Sequence, residues 1–420
     1  GRGTQSAGAA HQYKGMAPDA DLIFLKIGDD ATSNASLAAM TNATKAAVDT
    51  YDADIITMSY GGWDDYHDGT SETSQAVDYA FGQGAVVFIS AGNEANNDEH
   101  YSGTVNANST TGFIRVNVTG SNGLNALLGF NLVWYDGLAN SNDLVLEYYD
   151  STQTALADIW TSAQEESWKG TEHEISGYGR EAGWYYYLPW GNSTYYLKVT
   201  NNSDSQQFFH IYFDGAVAGG AAVEFQNPDP FYTLTSPADA EKAIAVGSYC
   251  TRKDWTAYDG VVYHFINPEE TVNTISAFSS RGPRVDSGAP QKPNIVAPGS
   301  AIISVRDQDV YIWPGGADGQ FIDNDGLNLN GSGPADYYVM RGTSMACPIA
   351  AGATALLLEA KPELKGHPAD VRNVLQSTAT SVVANNNIYG YGLLNIQAAI
   401  AASASTYEVD WLFMVYLDAD

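Results

Sequence analysis

The chain is poor in cysteine, in basic residues and in long apolar runs. Its 420 residues include two cysteines, Cys250 and Cys347, too few for a disulfide framework. The pair could form one bridge or stay as two buried thiols. Lysine and arginine together number 19 against 49 acidic residues, a formal net charge of -30 with a pI near 4.3. Such a surface repels phosphate backbones and anionic bilayers, so no nucleic-acid partner and no membrane-surface partner is expected. No apolar run reaches the ~18 residues of a membrane span, and no signal segment is recognisable. The sequence starts abruptly, so an upstream part is expected to have been removed.

What is present is a large core. Hydrophobic residues make up 44%, which excludes wholesale disorder, and the length suits two or three domains. The acidic surface suits an extracellular protein, a cation-binding one or one living in high salt. Asn-x-Ser/Thr triplets at Asn34, Asn42, Asn108, Asn117, Asn192, Asn201 and Asn330 hint at secretion and glycosylation, with an extracellular or cell-surface location.

Apolar runs alternate with helix-period stretches over residues 1–104. LIFLKI (22–27), IITMSY (55–60) and AVVFIS (85–90) read as buried strands, with helices over 36–51 and 73–83. That spacing predicts a parallel sheet flanked by helices. From 105 to 226 the texture becomes rich in Tyr, Trp, Asn, Gly and Thr with period-2 alternation. GFNLVWYDG, DLVLEYYD, GWYYYLPW, STYYLKVT and FFHIYFDG read as short antiparallel strands, an inserted all-β domain. The α/β pattern returns over 227–405, with strands at 243–248 and 294–298 and helices over 344–360, 368–380 and 393–404. Residues 406–420 close on the strand-like run WLFMVYLDAD.

One motif points to chemistry. Gly342-Thr343-Ser344-Met345-Ala346-Cys347-Pro348 opens the long helix. A serine there meets free N–H groups and the positive end of the helix dipole, which can hold an oxyanion. The commoner role for such a serine is a cap. The motif has company, however. SAGNE (90–94), MSYGG (58–62), TSPADAEKAIAVGS (235–248), FSSRGP with KPNIVAPGSAIIS (278–304) and GMAPDADLIFLKI (15–27) occur with it in order. Together they resemble the subtilisin-like serine proteases. The resemblance implies an α/β fold, a secreted serine endopeptidase acting on peptide or protein substrates, and no required cofactor. It implies Ser344 as nucleophile, Asn93 as side-chain donor of the oxyanion hole, and Ser59, Tyr60, Gly61 and Gly62 as the substrate-pairing edge. The 105–226 segment resembles, more loosely, the pre-peptidase C-terminal β-sandwich (jelly-roll-like) domains of secreted proteases, which implies a stabilising or binding module.

Two departures matter. Where the family has Gly-His-Gly-Thr-His, the chain reads Gly1-Arg2-Gly3-Thr4-Gln5, so Arg2 stands at the His position. A guanidinium offers no acceptor lone pair near neutral pH and cannot take the Ser344 proton. His11 lies nine residues further on, about 13 Å away at ~1.5 Å per helical residue. The family's Asp motif precedes the His motif and is not in the chain, which implies a missing central strand. WLFMVYLDAD is one candidate replacement, within the chain or swapped from a neighbour, with Asp418 or Asp420 in the Asp role. A bound N-terminal fragment is a second, and a third reading makes MVYLDAD the opening strand of a clostripain-like domain. The function therefore reads as a disabled or incomplete protease, or as a non-catalytic, self-associating structural or binding subunit. Asp323, Asp325 and Asn328 cluster oxygens in a Gly turn that would suit a structural Ca²⁺; a solvated acidic turn is the plainer reading.

Overall fold

The computed structural model describes residues 13–28, 34–121, 126–138, 143–157, 159–178, 191–217, 222–257, 260–266, 269–306, 318–322, 337–382 and 386–402. Helix α1 (Leu37–Asp49) is capped by Ser36, whose hydroxyl accepts the Ala39 N–H, one of the orphan donors of a helix start. It leads to strand β1 (Ile55–Met58), helix α2 (Glu72–Gly82) and strand β2 (Val86–Ser90). The β1 strand pairs in parallel with β2, β2 with Ile244–Cys250, and that strand with Ile295–Pro298. The two central strands are buried along their whole length, as expected of a parallel sheet covered on both faces. Helix α3 (Thr343–Ala360) lays Ala346, Cys347, Ala350 and Leu357 on one face of the sheet, against Val86, Phe88, Val246 and Ile295. On the other face Val77 and Ala80 of α2 meet Val87, Ile89 and Ala245. The long apolar helix α3 is thus a core element. Its lining alanines let it sit close to the strands.

Between β2 and Ile244–Cys250 in sequence run two antiparallel sheets. One is ordered β3 (His100–Val105), Gln207–Phe213, Ala126–Tyr135, Thr171–Tyr178 and Ile159–Thr161; the other is built on Ile114–Ser121, Gly191–Asn201, Leu144–Tyr149 and Ala222–Phe225. Their inner faces share one core, with Phe130, Trp134, Phe209 and Ile211 from the first sheet against Val116, Leu146, Leu197 and Val199 from the second. This is sheet-on-sheet packing with alternate residues turned inward. The sheet begins at His100, upstream of residue 105, because β3 pairs with Gln207–Phe213.

Two expectations change, and the open choice for the cysteines is decided. The LIFLKI run is not a buried strand: residues 21–27 carry no ladder pairing, and Leu22, Ile23 and Phe24 are 67%, 49% and 85% exposed. Among the described residues no strand lies alongside to satisfy its backbone. The two cysteines are free and separately buried. Asn201 cannot carry a glycan in the folded chain: it is 1% exposed, and its amide donates to the Val105, Asn106 and Ser205 carbonyls. The GWYYYLPW segment (183–190) and the WLFMVYLDAD run (411–420) lie outside the described residues, and the helix expected over 393–404 is shorter, Ile396–Ala401.

Candidate active site

The C-terminal ends of β1 and β2 and the start of α3 converge, which is the customary ligand crevice of an open α/β sheet. The chain leaves β2 at Ser90 and turns through Ala91-Gly92-Asn93. Gly92 has φ +109°, a conformation that side-chain-bearing residues rarely adopt. The turn delivers Asn93 to the first residue of α3. There the Thr343 N–H donates to Asn93 Oδ1 at 2.9 Å, and the Thr343 hydroxyl lies 3.1 Å from the same oxygen. With Oδ1 committed, Nδ2 is the end of the amide left to donate. The Thr343 hydroxyl also meets Gly92 O at 3.2 Å and Gly92 N at 3.3 Å, so the fully buried threonine locks the turn to the helix.

Ser344 follows directly and is partly exposed. Two features set its backbone. Gly342 precedes it with φ +149°, and the Gly342 N–H donates to Gly299 O at 2.9 Å. Further along, Pro348 lacks the N–H that would bond the Ser344 carbonyl one turn back. The Ser59 hydroxyl donates to that carbonyl instead, at 2.8 Å. Proline in the helix thus frees an acceptor that ties α3 to the end of β1. Cys347, on the buried side, meets the Thr57 hydroxyl at 3.3 Å. Burial pushes its thiol up to about 11, so it carries little thiolate near neutral pH.

Beyond β1 the chain runs to Gly62, which exchanges both backbone hydrogen bonds with Ser236, at 3.2 and 2.8 Å. Gly61 packs so tightly that a Cβ would come 2.5 Å from the Ser236 carbonyl. The Tyr60 hydroxyl accepts the Ala35 N–H at 2.9 Å, a tie to the segment before α1. Glu94, beside Asn93, takes its N–H to Ser280 Oγ at 3.0 Å, and burial raises its carboxyl.

Ser344, Asn93 and Ser59–Gly62 are therefore brought together. Arg2, Asp418 and Asp420 lie outside the described residues, as do Asp323, Asp325 and Asn328. Sequence reading missed Thr343, Thr57, Ser236 and Ser280 as the residues that fix the site. The threonine had a signal, since it stands inside the Gly-Thr-Ser motif; the others are legible only once the strands are aligned. A separate carboxylate group, Asp136, Glu166 and Glu172, brings one oxygen of each within 4.8 Å of the others, in a chain so acidic that such clustering alone assigns nothing.

The sequence pattern of the Subtilase family matches residues 2–392. Serine protease AprX of Bacillus subtilis is 34% identical over 169 residues, 40% of this chain and 32% of that protein. Pyrolysin of Pyrococcus furiosus is 36% identical over 156 residues, 34% of this chain and 9% of its own length. The chain spans about a third or less of the length of these curated relatives. Among solved structures, that of Sphericase aligns with 90% of this chain and 70% of its own at 16% identity, with a TM-score of 0.40.

Proposed function

Because the chain belongs to the subtilase family, we propose that it engages extended peptide along Ser59–Gly62 while lacking the base needed to turn it over. The reading gives Ser344 the nucleophile's place and gives Asn93 Nδ2 and the Ser344 N–H the oxyanion's donors. What carries it is Arg2. A serine attacks a carbonyl only if its proton has somewhere to go, and a guanidinium cannot accept it. The part of the machinery that would hold an acyl carbonyl is kept, and the part that would move the proton is not. Secretion and glycosylation are proposed with it, supported by the -30 charge and by exposed Asn34, Asn108 and Asn192 in acceptor triplets. The antiparallel sheets would serve as a stabilising or binding module. A fluorophosphonate probe tests the reading, with an active subtilase labelled in parallel. No labelling of Ser344 is expected in the chain as written, and peptide-mapped labelling there would overturn it.

A second reading, self-association by strand addition, has its own support. Among the described residues β1 pairs with β2 alone, and the exposed Leu22-Ile23-Phe24 stretch is an apolar run without a sheet partner. A strand entering beside β1 would satisfy its free backbone edge. The 411–420 segment of a neighbouring copy is the proposed occupant, with Asp418 or Asp420 carried in at its end. The mass measured by light scattering is expected to rise with protein concentration. A monomer that stays concentration-independent sinks this reading.

A further inference from the structure

Four of the seven histidines, His67, His100, His173 and His210, are buried, and they sit where the α/β unit meets the antiparallel sheets. Three of them build a continuous column of rings. His67 lies flat on Tyr212, centroids 3.7 Å apart and planes 8° apart. His100 stacks on the same tyrosine at 4.5 Å. His210 sits 5.3 Å from His100 and 4.4 Å from Tyr232. Trp63 closes the column against His67 and Tyr212. Trp63, His67 and Tyr232 come from the α/β unit, whereas His100, His210 and Tyr212 stand on β3 and Gln207–Phe213. The column is therefore part of the contact between the two units.

Its hydrogen bonds suit neutral rings. The Asp229 carbonyl can only accept, so His100 Nδ1–H donates to it at 2.8 Å. A neutral His100 then presents a lone pair at Nε2, into which His210 Nδ1–H donates at 3.1 Å. One added proton can be taken at His210 Nε2 with that bond kept, but a second, on His100 Nε2, sets two N–H groups against each other. His67 Nε2 is buried with no hydrogen-bond partner, so a proton there is a buried charge that burial, His100 and His173 oppose and only the Leu234 backbone favours. The facing groups give little relief. The Asp229 carboxylate already accepts from Ser102 Oγ and the Phe231 N–H. Asp64, whose Oδ1 takes the His67 N–H, has its carboxyl raised well above the usual range by burial and by Asp239 and Asp68. Burial likewise raises the Tyr212 and Tyr232 hydroxyls, which stay neutral. His173 stands apart on Tyr66, facing Asp65 and Glu165. A cleft of ≈ 400 Å³, lined by Phe208, His210, Tyr232 and the loop 283–289, borders the column on one side.

We propose that this column is an acid-operated latch: its neutral rings clamp the antiparallel sheets to the α/β unit, and protonation from the cleft side releases them. The direction follows from burial, which pulls His67 and His210 well below an imidazole's usual 6.5 and His100 to about 4. A group held low in the closed state contributes stability that is complete above its free value and is lost as pH falls toward the closed-state value. The window is thus from ~6.5 down to ~4. Burial raises Glu99 to about 7 and Asp214 to about 6. Those two and Asp64 oppose the histidines and soften the net change.

Amide hydrogen exchange on the whole chain, corrected for intrinsic rates, reads the latch between about pH 7 and about pH 4.5. Protection in β3, Gln207–Phe213 and the 63–70 loop is expected to fall while that of α3 holds. His67→Phe keeps the ring on Tyr212 but cannot titrate, and His210→Phe likewise removes the titrating group at the cleft. Each is expected to make opening less steep by one proton, a tenfold smaller change in the opening constant per pH unit. The opposing carboxyls cancel in that comparison. An unchanged steepness in both overturns the proposal. If neither variant folds, the wild-type imidazole signals decide. His100 is expected to stay neutral until protection is lost; titration near 6.5 with β3 still protected overturns the latch.

Discussion

Gly92→Ala is expected to destabilise the fold by about 3 kcal/mol, and to do so through the residue that presents Asn93. At φ +109° an alanine pays a backbone penalty of ~1–3 kcal/mol. The added methyl would then lie 2.6 Å from Ser280 Oγ and 2.9 Å from Thr235 Cγ2, closer than real Cβ contacts come. Neither neighbour can retreat without loss. Ser280 Oγ accepts the Glu94 N–H, the Ser280 N–H donates to Gly92 O at 3.0 Å, and the Thr235 N–H donates to Ala91 O at 3.1 Å. Gly112→Ala is the control. It has no positive φ, and nothing lies within 4 Å of its added methyl, so a change within about 0.5 kcal/mol is expected. Chemical denaturation of the two variants beside the parent measures both. A Gly92→Ala loss below about 1 kcal/mol would mean that the turn relaxes freely and that the Asn93 geometry is not fixed by packing.

How much of this was legible before the structure depended on the kind of signal. Helices and parallel strands followed from period and length, and the long helix was read from Ser344, one residue after its observed start at Thr343. Ser344 and Asn93 came from local motifs, each short enough to read in place. What failed was anything that needs a partner. LIFLKI has the composition of a buried strand, but a strand is buried only if another strand and a helix layer lie against it, and the run itself cannot report that. The Asn201 triplet has an acceptor pattern, but the same amide is the best donor for three carbonyls of a turn. The start of the antiparallel sheet was placed late because His100, Ser102 and Thr104 alternate with few apolar residues, so β3 lacks the pattern of its neighbours. The histidine column draws on residues more than 140 apart in sequence (67 against 210), and no spacing rule connects them.

The largest loss is expected at Arg284, which joins the loop below the cleft to the start of Ile244–Cys250. Its side chain is 1% exposed and meets Asp286 with two parallel bonds, Nε to Oδ1 at 2.8 Å and Nη2 to Oδ2 at 2.7 Å. Nη1 donates to the Asp239 carbonyl at 2.8 Å, and Nη2 lies 3.3 Å from Glu241. A fork of this kind is satisfied on every side. Arg284→Met keeps the stem's bulk and removes the charge, leaving the Asp286 carboxylate buried without its partner. Breaking a buried pair from one side costs about 3–5 kcal/mol. The sign with pH is fixed. Burial already raises the Asp286 carboxyl, and Arg284 is the main influence holding it down. In the variant it rises further, so the deficit is expected to shrink as pH falls and Asp286 takes up its proton. Replacing Asp286 with leucine in the Arg284→Met background removes the stranded charge and is expected to recover most of the loss, since paired apolar replacement of a buried ion pair is often near neutral. Denaturation of the single and double variants at two pH values tests this. A double variant as unstable as Arg284→Met would place the loss in the Asp239 and Glu241 contacts instead of in the stranded carboxylate.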